Sequence, residues 1–196
     1  MLNQVRPAVV SMLLFTLLLG GAYPAVVTLA GGAMFPAQAE GSFVRNDQGV
    51  VVGSSLIGQA TTSPQYLWPR PSAAGDGYNA AGSSGSNLGP LNPALAERGA
   101  ADAAAVRAYA PPGAAIPADA VTTSGSGLDP DISPEFADLQ VERIATARGI
   151  DPALVREAIA AHTQGRLLGF IGQPRVNVLM TNLALDRDHP LTAATR

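Results

Sequence analysis

Between Arg6 and Glu40 the chain carries no charged residue, and the run PAVVSMLLFTLLLGGAYPAVVTLAGG is almost wholly apolar. A helix over Ala8–Leu29, 22 residues, reaches ~33 Å at ~1.5 Å per residue, enough to cross a ~30 Å hydrocarbon core. Lipid offers no hydrogen bonds, so a helix that satisfies its own backbone is the form this stretch can take there. Pro7 suits the first turn, where its missing N–H is no loss. Pro24 is expected to kink or shorten the outer half unless neighbouring groups satisfy the carbonyl it frees. Gly21 and Ala25 are four apart, with Gly32 beyond, a small-residue strip along which another helix can approach. Ala37-Gln38-Ala39 has the form of a signal-peptidase site. A signal's apolar core is typically ~7–15 residues, and this run is longer. A retained anchor is therefore the first reading, and release of a secreted binding protein after Ala39 the alternative. Arg6 and the amino terminus are the positive groups on the N-terminal side. They place the N-terminus in the cytoplasm and the residues beyond the span outside it. The expected division is an anchor over 1–35 and an extracytoplasmic soluble domain over 36–196.

Composition removes several chemistries. All twelve basic residues are arginine. Without lysine there is no P-loop and no Schiff-base chemistry. Cysteine is absent, which excludes disulfides, thiol catalysis and cysteine-ligated zinc. The net charge of −3 gives no basic footprint for nucleic acid. There is no H-E-x-x-H and no G-x-S-x-G, and neither histidine belongs to a catalytic pattern. No catalytic residue and no metal site is assigned.

Beyond the anchor the pattern is α+β, with a short sheet, three or four helices and long ordered loops. Phe43 to Ile57 reads as a hairpin turned at Asp47-Gln48-Gly49. Tyr66 to Pro90 is nearly all Gly, Pro, Ser, Ala and Asn, yet Tyr66, Trp68, Arg70, Tyr78 and Asn87 punctuate it. A flexible linker seldom carries three large aromatics, so an ordered irregular loop is expected. Asn92-Pro93 caps a helix running to about Tyr109, and Ile116–Thr122 is expected to be extended. Ser133-Pro134-Glu135 starts one helix that Gly149 ends, and Asp151-Pro152 starts another that ends near Gly165. The last apolar segment, VNVLMTNLALD, reads as a helix capped by Asn177, with a strand through Val176 and Val178 as the alternative.

Gly125-Ser126-Gly127 looks like part of a dinucleotide fingerprint, but Pro130 stands where the third glycine would be, and no βαβ unit surrounds it. Backbone N–H groups of Ser124 to Gly127 can still form a small anion nest. Asp129 and Asp131 beside it disfavour phosphate, and are expected to meet a cation or arginines of a partner. A tight turn feeding a capped helix is the plainer reading.

Five strings taken together resemble one family: GSSLIGQ (53–59), YLWPRPSA (66–73), YNAAGSSGSNLGPLNP (78–93), DAVTTSGSGLDPDISP (119–134) and GFIGQPRVNVL (169–179). The family is the C subunit of the bacterial Kdp potassium-transporting P-type ATPase. Asp131, Ser84 and Gln173 depart from its commoner histidine, glycine and glutamate. The resemblance implies a single-span inner-membrane subunit that hydrolyses no ATP itself. Its implied partners are a channel-like potassium-binding subunit, a P-type ATP-hydrolysing subunit and a small single-helix subunit. It implies a catalytic chaperone that raises the ATP affinity of the hydrolysing subunit, with ATP as cofactor and potassium as the ion transported by the complex. An extracytoplasmic cover or brace over the potassium entrance is the alternative. On this reading the nucleotide or partner candidates are Gln59, Ser83, Ser86, Asn87, Ser124, Gly125, Ser126, Gly127 and Asp129. The partner-interface candidates are Tyr66, Trp68, Arg70, Tyr78, Asn79, Arg175 and Asn177.

Overall fold

Pro24 does not break the apolar helix. In the computed structural model, which describes residues 2–191, α1 (Val5–Leu17) passes through a π turn (Leu18–Ala22) into α2 (Tyr23–Met34). The Tyr23 N–H reaches back to the Leu18 carbonyl, and the wider turn absorbs the carbonyl that Pro24 cannot bond. The whole run Val5–Met34 is 30 residues and apolar enough to cross a membrane. Gly21, Ala25 and Gly32 are exposed along it. A single turn, α3 (Pro36–Ala39), follows. The chain divides into two compact units, Met1–Phe43 and Val44–Arg196.

A hairpin of β1 (Phe43–Arg45) and β2 (Val51–Ser54) comes next. Asn46 closes its turn, its Oδ1 accepting from Gln48 N and Val50 N at 3.1 and 3.0 Å. Residues 55–92 are irregular apart from a 3-10 turn at Ala80–Gly82. Helix α4 (Pro93–Arg107) is alanine-rich and buries only Val106.

The core lies further on. Strand β3 (Asp131–Ile132) leads to α5 (Pro134–Asp138), α6 (Val141–Arg148) and α7 (Pro152–Ala161), then β4 (Thr163–Gln164), β5 (Arg175–Asn177) and α8 (Val178–Asp188). β5 is central in an antiparallel sheet ordered β3-β5-β4, with Ile132 and Thr163 both opposite Val176. Phe136, Val141, Ile144, Val155, Val176 and Leu185 pack beside it, with Leu67 of the long loop fully buried among them.

The expected caps are in place at Asn92, Ser133, Asp151 and Asn177, and Gly149 ends α6 in the left-handed region (φ 68°). The α+β class holds, but several details differ. Among the described residues there are two small sheets, and five helices, α4–α8, follow the hairpin. The helix expected from Ser133 to Gly149 is two, broken at Gln140 (φ −94°, ψ −10°), whose side chain is engaged by the long loop. Ile116–Thr122 is not extended: a 3-10 turn at Ala118–Ala120 forms, closed by Thr122 Oγ1 donating to the Ala118 carbonyl at 2.7 Å. α7 stops at Ala161, short of Gly165, because Thr163 and Gln164 pair with β5. Val176 is in a strand, and the helix capped by Asn177 begins two residues later.

Candidate functional site

The glycine- and serine-rich segments converge on the loop between Thr122 and Ser133. Gly127 has φ +67°, and a Cβ there would lie 2.6 Å from Ala74 N and 2.7 Å from the Ser84 carbonyl. Three strands of loop cross at this point, and only glycine lets them approach. Ser84 N donates to the Ser126 carbonyl at 2.9 Å, and Ser83 Oγ donates to the same oxygen at 3.0 Å. Ser126 Oγ accepts from Leu128 N at 3.1 Å and lies 3.4 Å from Ser124 Oγ. Gly127 N bonds the Ser124 carbonyl. Gly127 N is thus spent inside the loop, and the Ser126 carbonyl fastens the loop to the Ser83–Ser84 segment. Ser86 is half-buried and Asn87 exposed with φ 51°. Gln59 turns back on its own hairpin, its Nε2 donating to the Val52 carbonyl at 2.9 Å.

Beside the crossing stands a charged cluster. Arg70 NH1 meets Asp129 Oδ2 at 3.0 Å, and its Nε and NH2 donate to the carbonyl and hydroxyl of Thr122 at 3.2 and 3.3 Å. The Tyr78 hydroxyl donates to the Arg70 carbonyl at 2.6 Å. Burial, and then the nearby Asp129 charge, push that hydroxyl well above the ordinary tyrosine range, against the pull of Arg70. Asn79 caps the 3-10 turn, accepting from Ala81 N. Asp131 pairs with Arg175 at 3.0 Å and accepts from Asn177 Nδ2 at 3.1 Å. Burial raises the Asp131 carboxyl despite both contacts. The two aspartates each meet an arginine of their own chain.

A second cluster holds the aromatics. Gln140, fully buried, accepts from Trp68 N at 2.8 Å and donates to the Trp68 carbonyl at 3.1 Å. Asn182 brackets Leu67 in the same way, at 2.7 and 2.9 Å. The Arg143 guanidinium lies 3.6 Å over the Trp68 ring, and Tyr109 meets that ring edge-on at 5.3 Å. Burial pulls Arg143 down to about 10, still cationic at neutral pH. The Tyr66 hydroxyl donates to Asp186, which also receives the buried Arg148 at 2.7 Å. Between the clusters lies a cleft of about 360 Å³, walled by Trp68, Arg70, Tyr78, Val106 and Tyr109, with Asp102 at its side. Asp102 Oδ2, buried without a hydrogen-bond partner, lies 3.8 Å from Arg98 Nε.

Sequence reading selected one member of most of these contacts and missed the others. Gln140, Arg143, Arg148 and Asn182 sit in apolar helical patterns and carry no local signal of their partners.

The family model for "K+-transporting ATPase, c chain" matches residues 5–187. The chain belongs to the KdpC family. A KdpC subunit of a potassium-transporting ATPase from Caulobacter vibrioides is 59% identical over 196 residues, covering 100% of this chain and 99% of that one. One from Beijerinckia indica is 56% identical over 193 residues, covering 97% of each. One from Geobacter sulfurreducens is 51% identical over 186 residues, covering 94% of this chain and 98% of that one. KdpC chains are thus subunits of a potassium-transporting ATPase, and this member carries an N-terminal helix suited to a membrane.

Proposed function

We propose that this KdpC chain is a membrane-anchored accessory subunit of an ATP-driven potassium importer, working as a preformed brace outside the cytoplasm. The lone Arg6 before the span supports that orientation. The observation that carries the brace reading is the crossing at Gly127. Long loops of Gly, Ser, Ala and Pro are fastened there by their own backbone, and by Gln140 and Asn182 elsewhere. A surface ordered in advance loses little entropy when a partner docks. The partners of this reading are the channel-like potassium-binding subunit, the ATP-hydrolysing P-type subunit and the small single-helix subunit, with potassium carried by the complex.

In this account the chain acts on ATP affinity, as a catalytic chaperone, only through contact. Such an effect is a coupling free energy between separate sites, and needs an element in the partner with two states. Direct nucleotide binding is the second reading. The cleft favours it, lined by Trp68 and Tyr109 beside the Arg70 guanidinium. Titration of ATP onto the full-length chain in detergent separates the two. The brace reading expects no saturable binding up to millimolar ATP, and expects the other subunits to be recovered together less well without this chain. Saturable binding lost in Trp68→Ala would establish the second reading instead.

A further inference from the structure

Past β4 the chain makes a narrow loop, Leu167-Leu168-Gly169-Phe170-Ile171, whose large side chains are 67%, 76%, 72% and 48% exposed. Four neighbouring apolar side chains facing solvent mark an interaction surface rather than scattered exposure. The loop is held that way. Leu168 has φ +53°, a left-handed conformation that a leucine adopts only under strain.

The backbone of the loop is largely paired within itself. Leu167 N and Ile171 N each bond the other's carbonyl at 2.9 Å, Gly169 N bonds the Arg166 carbonyl, and Phe170 N bonds the Leu167 carbonyl. Four of the tip's N–H groups are thus satisfied within the loop. Each such bond lowers the cost of moving the tip's backbone out of water. The neck is polar, with Arg175 paired to Asp131 at 3.0 Å and Arg166 meeting no carboxylate among the described residues. Arg166 meets Gln173 at 3.3 Å, and Arg175 meets Gln164 at 2.8 Å. No acidic residue occurs from Ala158 to Leu185 in a chain of net charge −3. The apolar tip and the Arg166 guanidinium at its base match the two layers of an anionic lipid surface. Val44, where the second unit begins, is ten residues after Met34 at the end of the apolar helix. The unit is therefore tethered within ~35 Å of extended chain, which raises the effective concentration of the tip at the same bilayer.

We propose that the Leu167–Ile171 tip inserts into the lipid surface of the membrane that holds the anchor, with Arg166 at the level of the headgroups. This rests on the membrane-anchor reading, which recovery of the chain with sedimented vesicles checks separately. The chain has no cysteine, so single labels are clean. Full-length Gln173→Cys and Leu91→Cys carry an environment-sensitive fluorophore in vesicles of zwitterionic and anionic phospholipid; Leu91 is 96% exposed and remote in sequence. Brominated lipid should quench the label at 173 at least twofold more than the label at 91. Adding Leu168→Ser and Phe170→Ser should abolish the difference while circular dichroism stays unchanged. Equal quenching at both positions, or quenching that survives the serine substitutions, overturns the proposal. So does a label at 173 that is shielded only once the other ATPase subunits are present, since a protein would then cover the tip.

Discussion

The side-chain amide of Gln140 pairs with both main-chain groups of Trp68, accepting from its N–H at 2.8 Å and donating to its carbonyl at 3.1 Å. Gln140 thereby acts as one residue of a strand, holding a loop that has no ladder of its own. Replacing it with leucine keeps the volume and strands both groups. Gln140→Leu should lower stability by about 1–3 kcal/mol. Trp68 is the only tryptophan, so urea unfolding followed by its emission reads the loss directly.

The crossing at Gly127 gives a paired test. Gly127→Ala meets both a positive φ and the Ala74 and Ser84 backbones, and should cost about 2–4 kcal/mol. At Gly125 a Cβ meets nothing within 4 Å, so Gly125→Ala should stay within about 0.5 kcal/mol. A phosphate cradle would penalise both. Thermal unfolding of the two variants distinguishes a packing glycine from a binding one.

Arg70 and Asp129, with side chains 19% and 30% exposed, make a better-shielded pair than Arg156 and Glu142, at 51% and 57%. Double-mutant cycles to alanine should give a coupling of about 1–2 kcal/mol for the first pair and below about 0.5 kcal/mol for the second. Equal couplings would mean that Arg70 acts mainly through Thr122.

Alkaline pH should weaken the fold. Tyr78, and in the same sense Tyr66 and Tyr109, are raised above 10.0 in the folded state, chiefly by burial. Near pH 10 and above the unfolded chain gives up these protons first, so the folded state holds more of them and stability falls as pH rises. Arg143, lowered to about 10, acts in the opposite sense, because the unfolded chain keeps that proton longer. Three groups oppose one. Melting temperatures between pH 8 and 11 should fall, and fall less steeply in Tyr78→Phe, which removes one of the three.

What was legible in the sequence is what local chemistry decides. Asn92, Ser133, Asp151 and Asn177 cap helices within three residues of themselves, and Gly149 stops α6 by its own φ. The three aromatics in a Gly/Pro/Ser stretch correctly indicated an ordered loop. What stayed hidden depends on distant residues. Gln140 and Asn182 find their partners 72 and 115 positions away. The Arg70–Asp129 pair spans 59 positions, so nothing near the acids in the sequence announces it. The break between α5 and α6 falls at Gln140, whose partner, the Trp68 backbone, belongs to another segment.

The orientation of the second unit carries the account of how this chain serves its complex, and one fusion tests it. Alkaline phosphatase joined after Arg196 is active only outside the cytoplasm. High phosphatase activity, with an inactive β-galactosidase fused at the same place, is the expected result. An active β-galactosidase and a silent phosphatase would place the unit beside the cytoplasmic ATP and contradict the brace.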